Sequence, residues 1–147
     1  MGFIVQTPAI QDALGTAIAT ALSADAATFS VGYPTGGPDE EAVWIAGDFN
    51  AAFPRRTSGG GARDEEASLK VKILVTHNAE DMATVRDRAA ALAALVDDAV
   101  SDDPTIGGLA KDAHVSGCEG NEGFDKDGRR QFGVTMTVAY RTTALSA

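Results

Sequence analysis

The chain has 147 residues with 12 basic against 21 acidic side chains, a formal charge of −9 and a pI near 4.5. Such a length suits one domain that buries roughly 68–70% of the surface its unfolded form exposes, and such a charge argues against sequence-independent binding to a phosphate backbone. No run approaches the roughly 20 apolar residues of a membrane span, and the N-terminus lacks the basic region of a signal peptide. With Cys118 as the single cysteine no internal disulfide is available, so the chain reads as cytoplasmic and Cys118 as a small buried thiol.

In chain order, Thr7-Pro8 opens a first helix expected over about residues 8–24, because Pro loses nothing at a first helical position, and Ile10, Leu14, Ile18 and Leu22 recur every fourth residue. Thr28 to Tyr33 reads as a strand, Pro34-Thr35-Gly36-Gly37-Pro38 as a turn, and residues 42–48 as the next strand. The two are expected to form a hairpin that brings Tyr33 near Trp44.

Asn50 to Glu66 shows no hydrophobic period and is read as a long loop, a kind of connection that is usually functional or disordered. Together with Phe49 just before it, the loop gathers Phe53, Arg55, Arg56 and Arg63 in an otherwise acidic chain. Those five residues are the candidate assembly interface, since arginines form bidentate pairs with carboxylates and aromatics anchor interfaces.

The strongest patterns follow. Leu69, Val71, Ile73 and Val75 alternate with Lys70, Lys72 and Thr76 over a strand at 67–77. Met82, Val85, Ala89, Leu92, Val96 and Ala99 then form one apolar stripe down a helix at 79–101, with Asn78 as cap and Glu80 and Asp81 in its first turn. A weaker strand is expected at 110–119. After the Asp127-Gly128 turn, a closing strand at 130–142 alternates Phe132, Val134, Met136, Val138 and Tyr140 with small or hydroxylated residues. The order α-β-β-β-α-β-β predicts one α+β domain, with two helices on one face of a mixed or antiparallel sheet of about 4–5 strands. Leu14, Ile18, Leu22, Val71, Ile73, Leu92, Val96, Val134 and Val138 are its expected core.

Catalytic chemistry finds little support. Gly59 to Gly61 lacks the Lys-Ser or Lys-Thr of a phosphate loop, and Asp125-Lys126-Asp127-Gly128 fails the register of a calcium loop. His77 and His114 are the only imidazoles. On a strand, His114 and Cys118 lie about 13 Å apart, too far to share a zinc ion. Whether the fold brings His77 beside Cys118 is a question that spacing does not decide. The pairs Glu40-Glu41, Glu65-Glu66, Asp97-Asp98 and Asp102-Asp103 read as solvated surface. No catalytic residue, cofactor or metal ligand is assigned.

Taken in order, the parts resemble the small tail terminator, or tail completion, proteins of long-tailed bacteriophages and prophages. The resemblance is carried by TFSVGYPTGGPDEEAVWIAG with its aromatic-Pro turn, the strand ASLKVKILVT, the Ala-rich helix with RDRAAALAALVDD, the segment DPTIGGLAKDAHVSG and the closing strand after the Asp-Gly turn. It implies a non-enzymatic virion protein, assembled in the host cytoplasm, that forms a homohexameric ring at the head-proximal end of the tail. The implied partners are further copies of itself, the tail tube protein and the head-tail connector protein, with no membrane. DNA would pass through the lumen without specific binding, and an acidic ring would repel it. Another neck or tail-tube component is the alternative within virion proteins, and a small cytoplasmic enzyme the alternative outside them.

Overall fold

In the computed structural model, which describes residues 3–4, 7–25, 27–38, 40–52, 63–78 and 81–146, the sheet grows from two long strands. Nine elements follow one another: β1 (Phe3–Ile4), α1 (Thr7–Ala21), β2 (Thr28–Val31), β3 (Glu41–Ile45), β4 (Asn50–Ala52), β5 (Arg63–His77), α2 (Met82–Asp102), β6 (Asp112–Phe124) and β7 (Arg130–Ser146). β5 and β7 pair antiparallel over their shared length, from Arg63 opposite Ala144 to His77 opposite Arg130. Period-two alternation therefore buries Leu69, Val71, Ile73 and Val75 of β5 on the same face as Val134, Met136, Val138 and Tyr140 of β7. Lys70, Lys72, Thr135 and Thr137 share the opposite face.

Beyond β7, β6 pairs along residues 130–141 and β1 pairs with Leu145 and Ser146. Beyond β5, β3 and β4 pair antiparallel with successive parts of the strand, and β2 lies outside β3. The result is a seven-stranded mixed sheet. Both helices lie on its apolar face. Ile10, Leu14 and Ile18 of α1 and Val85, Ala89, Leu92 and Val96 of α2 are buried against that face, and every expected core residue is buried. The class is α+β as the pattern predicts, and the sheet exceeds the expected 4–5 strands because β1 and β4 are too short to show a period.

β2 and β3 do not form a hairpin. They run parallel, Thr28 opposite Ala42 and Val31 opposite Ile45. The connection at 32–40 is far longer than a tight hairpin turn; it carries the chain back along the strand, with Gly32, Gly36 and Gly37 at positive φ. Tyr33 and Trp44 nevertheless meet edge to face, ring centroids 5.6 Å apart. α1 helps place β2: a Cβ on Gly15 would stand 2.8 Å from Val31 Cγ2, so only glycine allows this approach without a shift.

Three boundaries also move. α2 is capped by Asp81 and not by Asn78, the Asp81 carboxylate accepting from the Thr84 backbone N–H at 2.9 Å and the Thr84 hydroxyl at 2.8 Å. Glu80 lies outside the described residues. The loop read over 50–66 contains β4 and the first turn-free stretch of β5, and its centre, 53–62, is outside the described residues. β6 continues to Phe124 beyond a bulge between Val115 and Gly117; Gly117, Gly120 and Gly123 break the hydrophobic alternation without breaking the ladder to β7.

Candidate functional site

His77, at the end of β5, belongs to a side-chain network. Its Nε2 lies 3.0 Å from Glu41 Oε2 on β3. The same carboxylate accepts two bonds from Arg88 of α2, from Nε and Nη2 at 2.8 Å each, and Arg88 Nη2 also donates to Asp25 in the turn after α1. Bidentate guanidinium geometry makes this a strong charge-assisted contact. The Arg88 hydrogen bonds hold the Glu41 carboxyl below its ordinary range against the opposing effect of burial. They likewise raise Arg88, with Glu41 the larger cause and Asp25 the next. A carboxylate so engaged is a poor base, and the cluster acts as a brace between α1, β3, β5 and α2. Glu41 therefore does not belong to the solvated surface, although its neighbour Glu40 is exposed, its carboxylate reached by Arg129 Nη1 at 3.2 Å.

His77 does not meet Cys118. His77 stands opposite Arg130 on β7 while Cys118 stands opposite Met136 on the other side of that strand, placing them on the order of 20 Å apart. Cys118 is exposed rather than buried, because this half of β6 runs past the helices. His114 is exposed too. It borders a shallow hollow of about 280 Å³ shared with Glu66, Asp112 and Arg141, in which Arg141 Nη2 pairs with Asp112 Oδ2 at 3.1 Å. That pair is open to solvent and contributes little. Among the described residues no group of three or more His, Cys, Asp or Glu side chains is placed to hold a metal ion.

A second network was hidden in the sequence. Glu65 is completely buried. The Thr7 hydroxyl at the start of α1 donates to Glu65 Oε1 at 3.1 Å and is also in short contact with the Tyr140 hydroxyl. Burial pushes the Tyr140 phenol up to about 12, the Thr7 hydrogen bond opposing and the charge of Glu65 adding to the rise. These hydroxyls and the carboxylate join the first turn of α1 to both long strands. The pattern did hold a signal: the alternation of Leu69, Val71, Ile73 and Val75, continued backwards, places Ala67 and Glu65 on the core face.

The surface offers more than the interior. Among the described residues one face of the sheet carries no helix, and Lys72 there donates to Thr135 Oγ1 at 3.2 Å. Ser116 to Glu122 are exposed on both faces of β6, and no strand lies on its outer side among the described residues. Of the five candidate interface residues, Phe49 is 45% exposed just before β4, beside Asn50, Ser68 and Lys70. Arg63 opens β5 and so is not a loop residue. Phe53, Arg55 and Arg56 lie outside the described residues.

No protein-family model matches this chain, and no curated protein sequence matches it either.

Proposed function

We propose that this chain is a structural subunit of a long-tailed phage, one that self-associates into a ring, most simply of six copies, closing the tail tube and meeting the head connector. The observation that carries the reading is the contrast between a spent interior and an open periphery. The buried ionisable and hydroxyl groups are committed to bracing the fold, while a sheet face and the outer edge of β6 are left for neighbours. The ordered resemblance to tail terminators supports the same assignment. The acidic balance of the chain suits a lumen through which DNA slides without adhering. No helix is long and apolar enough to cross a membrane among the described residues. The tail tube and the connector are the partners this reading assigns.

Light scattering on the purified chain tests the reading. A mass of six subunits is expected, and addition of the protein to terminator-deficient tails should restore head joining. A protein that is monomeric at every concentration, and inactive in joining, refutes it. Alanine at His77, His114 and Cys118 together should leave both results unchanged; a folded, associated triple variant that fails to join heads would favour a chemical site instead. Cross-linking inside assembled virions separates the terminator from another neck or tube component by which ring it contacts.

A further inference from the structure

We infer that the turn between β6 and β7 is a knob that seats in the groove between α1 and α2 of a second copy of this chain, with Phe124 as its anchor. The inference rests on the self-association proposed above and names the surfaces that make it.

The knob stands at the end of the sheet. The last pair of β5 with β7 is His77 opposite Arg130, and the turn at 125–129 continues past it. Phe124 stands opposite Arg130, in line with His77, so it projects from the helix side; it is 62% exposed. The Arg130 guanidinium lies over its ring, 5.6 Å from the centroid. The turn beneath is braced. The Asp125 carboxylate accepts from the backbone N–H groups of Asp127 at 3.0 Å and Arg129 at 2.8 Å, and from Arg129 Nε at 2.7 Å. An aromatic ring on so firmly held a turn gives up little freedom when it docks. Lys126, at the tip, is exposed and has no hydrogen-bond or ion-pair partner among the described residues.

The groove lies along the seam of the two helices. Ala17 and Ala21 of α1 face Leu95 and Ala99 of α2 across about 480 Å³, with the exposed Asp98 and Asp102 on the rim. No lysine or arginine lines it among the described residues. The two rim carboxylates are placed against the preferences of their own helix. Asp98 and Asp102 are like charges four residues apart on one face, in the last turns of α2, where the dipole favours cations and where no basic side chain stands. Neither has a hydrogen-bond or ion-pair partner among the described residues. Asp103 differs, because its carboxylate already accepts from the Thr105 hydroxyl and the Gly107 N–H. Cations brought by a neighbour relieve this repulsion, and the small side chains of the seam leave room for a ring. The knob carries both, Phe124 for the floor and Arg130 with Lys126 for the rim.

The chain's own knob cannot fill its own groove. α2 begins beside the knob, where the charge of Arg130 acts on its cap, Asp81. From Met82 the helix rises about 20 Å to Leu95 and about 30 Å to Asp102, away from that end. The occupant has to come from another molecule. Because knob and groove are different surfaces, each copy gives one and receives one, the heterologous arrangement from which closed rings are built.

Three variants of the full-length chain test this. Phe124→Ala should weaken association about tenfold or more in sedimentation velocity, and so should Asp98→Arg with Asp102→Arg. At a concentration where both are monomeric, the double variant should unfold in urea no earlier than the wild type, since cations suit the end of a helix; its loss of association is then not misfolding. Phe124→Cys with Leu95→Cys, in a Cys118→Ser background, should give disulfide-linked multimers on oxidation. If the wild type associates but either of the first two variants associates equally well, or if the cysteine pair yields no link between copies, this interface is wrong and the ring reading stands. A wild type that never associates removes the ring reading and this interface together.

Discussion

Leu92→Ala is the sharpest test of the packing that supports all of these surfaces. Leu92 is fully buried at the middle of the α2 stripe, between Ala89 and Val96, which are also fully buried. The change removes three carbon groups from a site with no exposure. At about 0.8 kcal/mol per buried methylene the transfer part alone is about 2.4 kcal/mol, and incomplete collapse of the cavity raises the total to roughly 2–5 kcal/mol. Leu95, on the same helix but only partly buried, should lose less when truncated, which makes it an internal control for helix propensity. Urea unfolding at neutral pH reads both, with equal slopes expected for wild type and variants, so that the shift in midpoint reports stability. A Leu92→Ala loss under about 0.5 kcal/mol, or one no larger than that of Leu95→Ala, would mean that α2 does not seat this face on β5 and β7.

The remaining expectations concern the two networks and one close approach. Arg88→Ala should destabilise by about 1–3 kcal/mol, since it strips the bidentate partner from a mostly buried Glu41. Because Arg88 lowers the folded Glu41 value beneath the ordinary 4.5 of a glutamate, that stabilisation is present above the unfolded pKa and is lost as pH falls through the folded one; acid titration of the urea midpoint should therefore fall less steeply in the variant. Tyr140 behaves oppositely: its folded value of about 12 exceeds the ordinary 10.0, so its contribution is complete below pH 10 and disappears as pH rises through 12. Tyr140→Phe should remove that alkaline loss while weakening the protein by about 1–2 kcal/mol at pH 7, and an unchanged alkaline profile would show that Tyr140 is not the group responsible. Gly15→Leu should lose about 1–3 kcal/mol by driving α1 off Val31, whereas Gly15→Ala should be near neutral because the exposed Val31 can rotate and alanine favours the helix; equal stability of the two variants in urea would refute the contact.

What the sequence determined by itself is whatever depends on a period within one segment. The stripe from Val85 to Ala99 can be satisfied only by a helix with one apolar face, and the alternations at Leu69–Val75 and Val134–Tyr140 only by strands with one buried face, so the two-layer α+β class and the whole predicted core were legible. Tertiary structure decided what depends on contact between distant segments. The direction of β2 is set by α1 and by pairing with β3, not by the turn residues at 34–38, and nothing local in Thr28–Val31 encodes a parallel partner. The distal half of β6 is a strand because β7 offers it a ladder, although its glycines and exposed glutamates carry no hydrophobic alternation of their own. Glu65 and Glu66 look alike in the sequence. Only the pairing of β5 with β7, and the arrival of Thr7 and Tyr140 from the two ends of the chain, sends one carboxylate into the interior and leaves the other in water.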